Sequence, residues 1–222
     1  MPLSQLRVVE HLPTTKLPAG ATPDALAGKL GELVVSGLHG KYYEQASSGC
    51  LWYVSTVAAG LAVPISSTTA PTVMLWNPSG SSVNAVLARL NLAYVSGTSV
   101  ATALGLAFAA NVGANTATAA PITAFNQSAV GTNLFNGLLG SGHVSKIRSS
   151  ANGTNTVTAG TWFYTIAGES ALIATTAMNP YSVDYDFEGQ VIVSPGTAIW
   201  LVGTAATGAL LAQTLSWIEV PA

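Results

Sequence analysis

Short runs in which apolar and polar residues alternate, separated by turn signals, make up most of this chain. Residues 82–96 carry the clearest pattern, because one parity, which includes Leu90 and Leu92, is apolar, while the other mixes apolar residues with Arg89 and Asn91. A period of two predicts a strand with one buried face. A helix over the same residues is the alternative, since alanine and leucine favour helices. The Asn-Pro-Ser-Gly turn before this run favours the strand.

The other strand-like runs are rich in β-branched and aromatic residues and end at glycine, proline or asparagine. They cover residues 32–38, 41–44, 50–58, 71–77, 99–111, 143–150, 154–158, 161–167, 170–176, 182–193, 197–203 and 209–220. Residues 60–70 and 113–131 are predicted loops, and residues 133–139 a helical turn. Because long helices for parallel crossovers are missing, the pattern predicts an all-β fold, an antiparallel β-sandwich of jelly-roll type over residues 31–222.

Residues 1–30 differ from this pattern, since Pro2, Pro13, Pro18 and Pro23 fix φ and remove backbone donors. They predict an extended N-terminal arm, with a mobile tail as the alternative. Apolar anchors favour an arm that docks on a neighbouring subunit. The predicted interaction residues are Leu3, Leu6, Val8, Val9 and Leu12.

Charge is the unusual property of the composition. Charged residues make up 7% of the chain, where about 25% is usual, and Arg89 is the one charged residue between Gln45 and Lys146. A net charge of −2 with seven scattered cations argues against a nucleic-acid partner. So sparse a charge coat predicts that other copies of the chain, or a host lattice, cover much of the surface.

Neither secretion nor membrane insertion is predicted. The first 32 residues carry six charges and no apolar core of a signal peptide. The most apolar stretch, residues 100–114, falls short of the roughly 20 residues that span a bilayer. Cys50 is the single cysteine, so the fold cannot depend on an internal disulfide.

Residues that could carry chemistry are few, and each has a structural interpretation. Alternating Asp184, Asp186 and Glu188 could hold Ca²⁺ from one strand face, but a solvated outer face is the favoured interpretation. Cys50 is interpreted as a buried, inert thiol. The five tryptophans are interpreted as core, with a carbohydrate-binding platform as the alternative; they are Trp52, Trp76, Trp162, Trp200 and Trp217.

No known catalytic motif is present. His11, His39 and His143 lie far apart without zinc-ligand spacing, the glycines of residues 137–142 lack the lysine of a phosphate loop, and Glu169 with Glu188 would be only a guess at a glycosidase pair. We therefore predict no enzymatic activity and no cofactor. A jelly-roll lyase or cupin-type metalloprotein is the enzymatic alternative, and it requires His39, His143 and Asp184 to converge.

Two stretches near the end carry a resemblance. Residues 191–206 (VIVSPGTAIWLVGTAA) and 215–221 (LSWIEVP) resemble the end of jelly-roll structural proteins of tailed bacteriophages, where a Pro-Gly-Thr turn enters a buried strand and Trp-x-Glu-x-Pro closes the sheet. The resemblance covers residues 180–222. Proteins of that kind are typically trimeric decoration, cement or fibre components, and no active-site residue carries over.

Together these points predict a virion structural protein, assembled in the bacterial cytoplasm. Its expected role is capsid decoration or cement: a homotrimer that clamps the major capsid protein or other virion proteins by burying low-charge surfaces. A receptor- or carbohydrate-binding component of a tail or head fibre is the alternative, and it requires exposed aromatic rings beside polar groups in one groove.

Overall fold

The structure, a computed structural model, describes residues 40–68, 70–110, 133–139, 143–150, 160–169, 182–206 and 208–222. The chain divides into two compact units, residues 1–43 and 44–222. In the first, a turn is closed by the Tyr43 amide, which donates to the Gly40 carbonyl at 3.0 Å. The predicted arm, its five apolar anchors and the predicted boundary at residue 30 all lie outside the described residues.

The described residues of the second unit form strands joined by turns, and the short helix α1 (Tyr43–Ser47) precedes these strands in the chain. The strands among the described residues are, in chain order, β1 (Leu51–Ser55), β2 (Leu61–Ala62), β3 (Met74–Asn77), β4 (Val83–Ser96), β5 (Thr102–Ala110), β6 (Asn133–Asn136), β7 (Arg148–Ser150), β8 (Thr161–Glu169), β9 (Ser182–Asp186), β10 (Ile192–Val193), β11 (Thr197–Gly203) and β12 (Leu210–Pro221).

Two antiparallel sheets contain these strands. Sheet one has the order β10–β4–β12–β1–β6; β9 continues the β10 edge along β4, and β2 pairs with β12 beyond the end of β1. Sheet two has the order β7–β3–β11–β5–β8. In chain order β1, β3, β4, β5, β8, β9–β10, β11 and β12 cross between the sheets in the jelly-roll manner, except that β5 and β8 are neighbours in sheet two. The predicted all-β sandwich of jelly-roll type is confirmed, and β6 and β7 each add one edge strand.

The main core lies between the two sheets. Cross-strand rows face inward together, such as Val54, Leu215, Leu90 and Tyr185 across sheet one. Sheet two contributes the side chains on its own inner face, which include the buried Leu75, Ile199 and Leu106. The large rings of Trp52, Trp217 and Phe187 fill the space between the sheets. Burial of about 25 cal/mol per Å² of apolar area is the main stabilising term for such a sandwich.

The face that β4 buries changes partway along the strand. Val83, Ala85 and Leu87 are buried in the first part, but Leu90 and Leu92, of the other parity, are buried in the second. The switch occurs because Ala88 is an extra residue in the ladder: Leu87 pairs with Trp217, while Arg89 pairs with Ser216. The interpretation of one apolar parity for the whole of residues 82–96 was therefore wrong for the first half.

Two predicted elements are replaced by others. Residues 41–44, predicted as strand, form a turn and the start of α1, which ends where Gly49 adopts φ +75°; the Cys50 amide then bonds to the Gln45 carbonyl at 2.9 Å, as in a Schellman cap. Residues 133–139, predicted as a helical turn, begin with β6. The open edge of β1 supplies its partners, with Tyr53 opposite Phe135.

Other predicted bounds also change. The strand predicted over residues 182–193 is two strands, because the chain leaves β4 between Asp186 and Ile192, with Glu188 at φ 50° and Gly189 at φ 78°. The predicted loop 60–70 contains β2, the predicted strand 143–150 is regular only in β7, and β8 continues to Glu169. The elements predicted for residues 32–38, 113–131, 154–158 and 170–176 lie outside the described residues.

Candidate functional site

The outward face of sheet one has three charged side chains, Arg89, Asp184 and Asp186, and otherwise uncharged ones in the part described below. Strand pairing aligns its side chains in rows, since residues that are paired across strands share a face. We call it the charge-poor face, and its members are Tyr53, Ser55, Arg89, Asn91, Ala93, Phe135, Ser182, Asp184, Asp186, Ala212, Thr214 and Ser216. Hydroxyl, amide and methyl groups dominate this surface.

The charges on this face engage each other or the backbone. The Arg89 guanidinium forms a bidentate ion pair with the Asp184 carboxylate, which also accepts a hydrogen bond from Asn91 Nδ2 at 3.0 Å. Asp186 Oδ1 accepts from the amide of Glu188 at 2.8 Å. Hydroxyls are also paired across strands, with Ser55 Oγ and Thr214 Oγ1 separated by 3.0 Å. Arg89 and Asp184 therefore neutralise each other, and Asp186 leaves these members with a formal charge of −1.

The outward face of sheet two carries a second apolar cluster. Met74, Ala107, Ala198, Trp200 and Val202 are buried there, on the side opposite the main core. Trp200 is only 1% exposed, so β11 is buried on both faces. Its unbroken apolar run, residues 198–202, is the signal typical of such a strand, and it could have predicted this second cluster.

The acidic side chains of β9 do not form a cation site. Asp184 is held by Arg89 and Asn91, and Asp186 caps the turn that follows it. Glu188 has left the strand at φ 50°, so the three carboxylates do not project from one strand face as the spacing suggested. Among the described residues, no three histidine, cysteine or acidic side chains are placed to hold a metal ion.

Cys50 lies in a small cleft at one end of sheet one. The cleft has a volume of about 210 Å³, and His143 and Glu219 also line it. Cys50 is half-buried rather than fully buried, which corrects the prediction. Glu219 accepts hydrogen bonds from the Ser145 hydroxyl and, at 3.3 Å, from the Lys146 amide. Its carboxylate therefore fixes the segment before β7.

The residues of the enzymatic alternative are not brought together. His143 lines the cleft beside Cys50, whereas Asp184 lies on β9, with β4 and β12 between β9 and β1. His39 and His11 lie outside the described residues. The glycosidase pair also has no support, because the side chain of Glu169 is not described.

Three of the five tryptophans are core residues, as predicted. Trp52, Trp200 and Trp217 are each at most 1% exposed. Trp76 and Trp162 are half-buried beside the second apolar cluster, and the Arg148 guanidinium stacks over Trp76 at 5.2 Å. The aromatic rings that reach the surface of the sandwich include Phe135 and Phe163, at 42% and 39% exposure.

Comparison of the chain with protein-family models, curated proteins and solved structures found no match. In the part of the chain that the structure describes, no helix has the length and apolar character to cross a bilayer.

Proposed function

We propose that this chain is a virion structural protein, a capsid decoration or cement protein that trimerises and stabilises the head of a tailed bacteriophage by burying low-charge surfaces. One observation carries the proposal: beyond the Arg89–Asp184 ion pair and Asp186, the charge-poor face of sheet one presents uncharged hydroxyl, amide, methyl and aromatic groups, and its members include no lysine or glutamate. A charged, mixed surface keeps soluble proteins apart. The scarcity of such charges here supports contact with another protein.

The dimensions of sheet one allow such a contact if it extends beyond the charge-poor face. Along β12 the members of that face lie between Ala212 and Ser216, which is about 17 Å at ~3.4 Å per residue. Five strand positions at ~4.8 Å spacing are about 20 Å across. The product is on the order of 350 Å², so the rest of the outward face along β12 is needed to reach the ~800 Å² that each partner buries in a standard interface.

The energetics favour many weak contacts over one tight contact. Burying ~1,000 Å² of apolar area is worth on the order of 25 kcal/mol gross, but association and side-chain ordering offset most of it. The single ion pair of the face adds little, because Arg89 and Asp184 are 48% and 52% exposed and exposed pairs contribute about 0–1 kcal/mol. A small surplus at each contact, repeated over a shell, would stiffen a capsid.

We expect the full chain to be a trimer by multi-angle light scattering, and the double variant Ala93→Glu with Thr214→Glu to dissociate into monomers. Both positions lie on the charge-poor face, where Ala93 pairs with Ala212 and Thr214 with Asn91. The added carboxylates would lie diagonally on neighbouring strands, and the contact would bury them without a partner. The matched control is Ser79→Glu, an exposed turn position away from the sheet, which should leave the trimer unchanged.

Circular dichroism would show that all three proteins keep their strands. A wild-type chain that stays monomeric and monodisperse at every concentration would contradict the proposal, as would a trimer that tolerates both glutamates.

The head assignment has its own test. Gold-labelled antibodies against the chain should mark the heads of tailed-phage particles that contain it. Labelling of fibres or tail tips instead would favour the receptor-binding alternative over decoration.

A further inference from the structure

A groove with aromatic walls lies where the edges of the two sheets meet, at β8 of sheet two and β10 of sheet one. Its volume is about 400 Å³. We call it the aromatic groove, and its lining includes Phe108, Phe163, Tyr164, Gln190, Ile192 and Thr197. Pockets of roughly 300–1,000 Å³ hold small ligands in proteins, so this one suits one or two sugar-sized rings.

A β-bulge creates the aromatic wall. Strand β5 pairs Leu106 with Tyr164 and Ala107 with Trp162, which leaves Phe163 as an extra residue in β8. In a regular strand, Phe163 and Tyr164 would point to opposite faces. The bulge lets both rings line the groove, with Phe163 edge-on to Phe108 at 5.4 Å. Bulges are common next to binding sites because they redirect side chains in this way.

The opposite wall is formed where the chain leaves and rejoins β4. Phe187 is fully buried beneath it. The centroid of its ring lies 5.8 Å from that of Tyr164 and 5.2 Å from that of Tyr185. The backbone N–H of Gln190 donates to the Phe187 carbonyl at 2.9 Å. Gln190 is therefore held at the rim, with its side chain on the groove, and Ile192 follows at 58% exposure.

A chain of hydrogen bonds orients the polar atoms of the groove. The Tyr164 hydroxyl donates to Gln190 Oε1 at 3.2 Å, so the Tyr185 hydroxyl, 2.9 Å away, donates to Tyr164. This arrangement fixes the amide oxygen of Gln190 toward Tyr164 and turns its two N–H donors the other way.

The chemistry of the lining selects the ligand class. None of the residues that line the groove is charged, so a charged ligand would lose hydration without gaining a partner. Glu188, in the turn that precedes Gln190, carries a negative charge and would disfavour anions in particular. A purely apolar ligand would not use the oriented amide and hydroxyl. A neutral sugar suits both the aromatic rings and the polar groups of the groove, since it has an apolar C–H face for the rings and hydroxyls for hydrogen bonds.

We propose that the aromatic groove binds a neutral carbohydrate, with Phe163 packing on the C–H face of a sugar ring and Gln190 and Tyr164 bonding to its hydroxyls. This inference depends on the groove alone and does not require the proposed capsid function.

The test is ligand-observed NMR on the full chain with three neutral trisaccharides as probes: maltotriose, cellotriose and N,N′,N″-triacetylchitotriose. We expect at least one to bind with a Kd of about 1 mM or tighter. Phe163→Ala and Gln190→Ala, both at exposed positions, should each weaken that binding at least about tenfold. Sialyllactose, an anionic sugar, should bind at least about tenfold more weakly.

The matched control is Phe135→Ala, an equally exposed phenylalanine on the other edge of sheet one, which should leave sugar binding unchanged. A second variant, Tyr164→Phe, keeps the ring and removes the hydroxyl, and it should weaken binding without unfolding the edge. Co-sedimentation with an insoluble polymer of the bound sugar distinguishes two sources of the ligand. A chain that sediments with the polymer indicates a surface polysaccharide, whereas a chain that binds only the free trisaccharide indicates a soluble sugar.

Two results would overturn the proposal. One is a wild-type chain that binds none of the three neutral probes. The other is binding that survives Phe163→Ala and Gln190→Ala, or that Phe135→Ala weakens equally.

Discussion

Asn77→Ala is expected to lower the free energy of unfolding by about 2–4 kcal/mol, although the change removes only a small polar group. The Asn77 side chain is fully buried, and its Nδ2 donates to the Val83 carbonyl at 2.7 Å and the Val193 carbonyl at 2.8 Å. Asn77 belongs to β3 of sheet two, whereas these carbonyls belong to β4 and β10 of sheet one, so one amide joins the two sheets. Alanine would remove this donor from both carbonyls, and the Val83 carbonyl would keep only the longer hydrogen bond from Ser81 Oγ at 3.3 Å. A buried group that loses its partner costs about 1–3 kcal/mol.

Chemical denaturation at a fixed protein concentration would measure the effect. Asn91→Ala, at an exposed asparagine of the same sandwich, is the matched control and should change stability by about 1 kcal/mol or less. Asn77→Asp sharpens the test, because a carboxylate would face two carbonyl oxygens; protonation restores one donor, so the loss should be smaller at mildly acidic than at neutral pH. An Asn77→Ala protein as stable as Asn91→Ala would show that this bridge does not hold the sheets.

Trp200→Ala is expected to destabilise the protein by about 3–5 kcal/mol, the usual cost of removing a fully buried large aromatic side chain. The prediction is informative because Trp200 lies on the outward face of sheet two, where an ordinary sandwich meets solvent. Because Trp200 is only 1% exposed and packs with Met74, Ala107 and Val202, removing its side chain should cost as much stability as removing a core residue.

Trp76→Ala is the control from the same face, since Trp76 is only half-buried. Removing it should cost less than about 2 kcal/mol, in proportion to the smaller apolar area that it buries. The difference between the two variants is read from denaturation curves recorded at one protein concentration, because any oligomer would make stability depend on concentration. A Trp200→Ala variant no less stable than Trp76→Ala would mean that this outward face is not a second core.

Turn chemistry and cross-strand alternation could be read from the sequence, and they led to the right fold. Most predicted strands in the described residues overlap an observed strand, and the Pro-Gly-Thr turn before β11 is present, with Gly196 at φ 86°. Burial of Trp52 and Trp217 followed from their place in apolar runs. The candidate surface was partly foreseen: charge is scarce around Arg89 in sequence, and the charge-poor face lies there in space.

The composition of each outward face could not be predicted, because it depends on which strands become neighbours. Arg89 and Asp184 are 95 residues apart, and only the pairing of β4 with β9 makes them an ion pair. The aromatic groove has the same origin, since it joins β8 of one sheet to β10 of the other.

By itself, therefore, the sequence determined the class of fold, the positions of most strands and the scarcity of charge, because a side-chain period of two, turn residues and composition are local properties. The tertiary structure alone decided the extra residues at Ala88 and Phe163, the break between Asp186 and Ile192 and the bridge at Asn77. Each of these depends on the register with a partner strand distant in sequence, and no local pattern encodes that register.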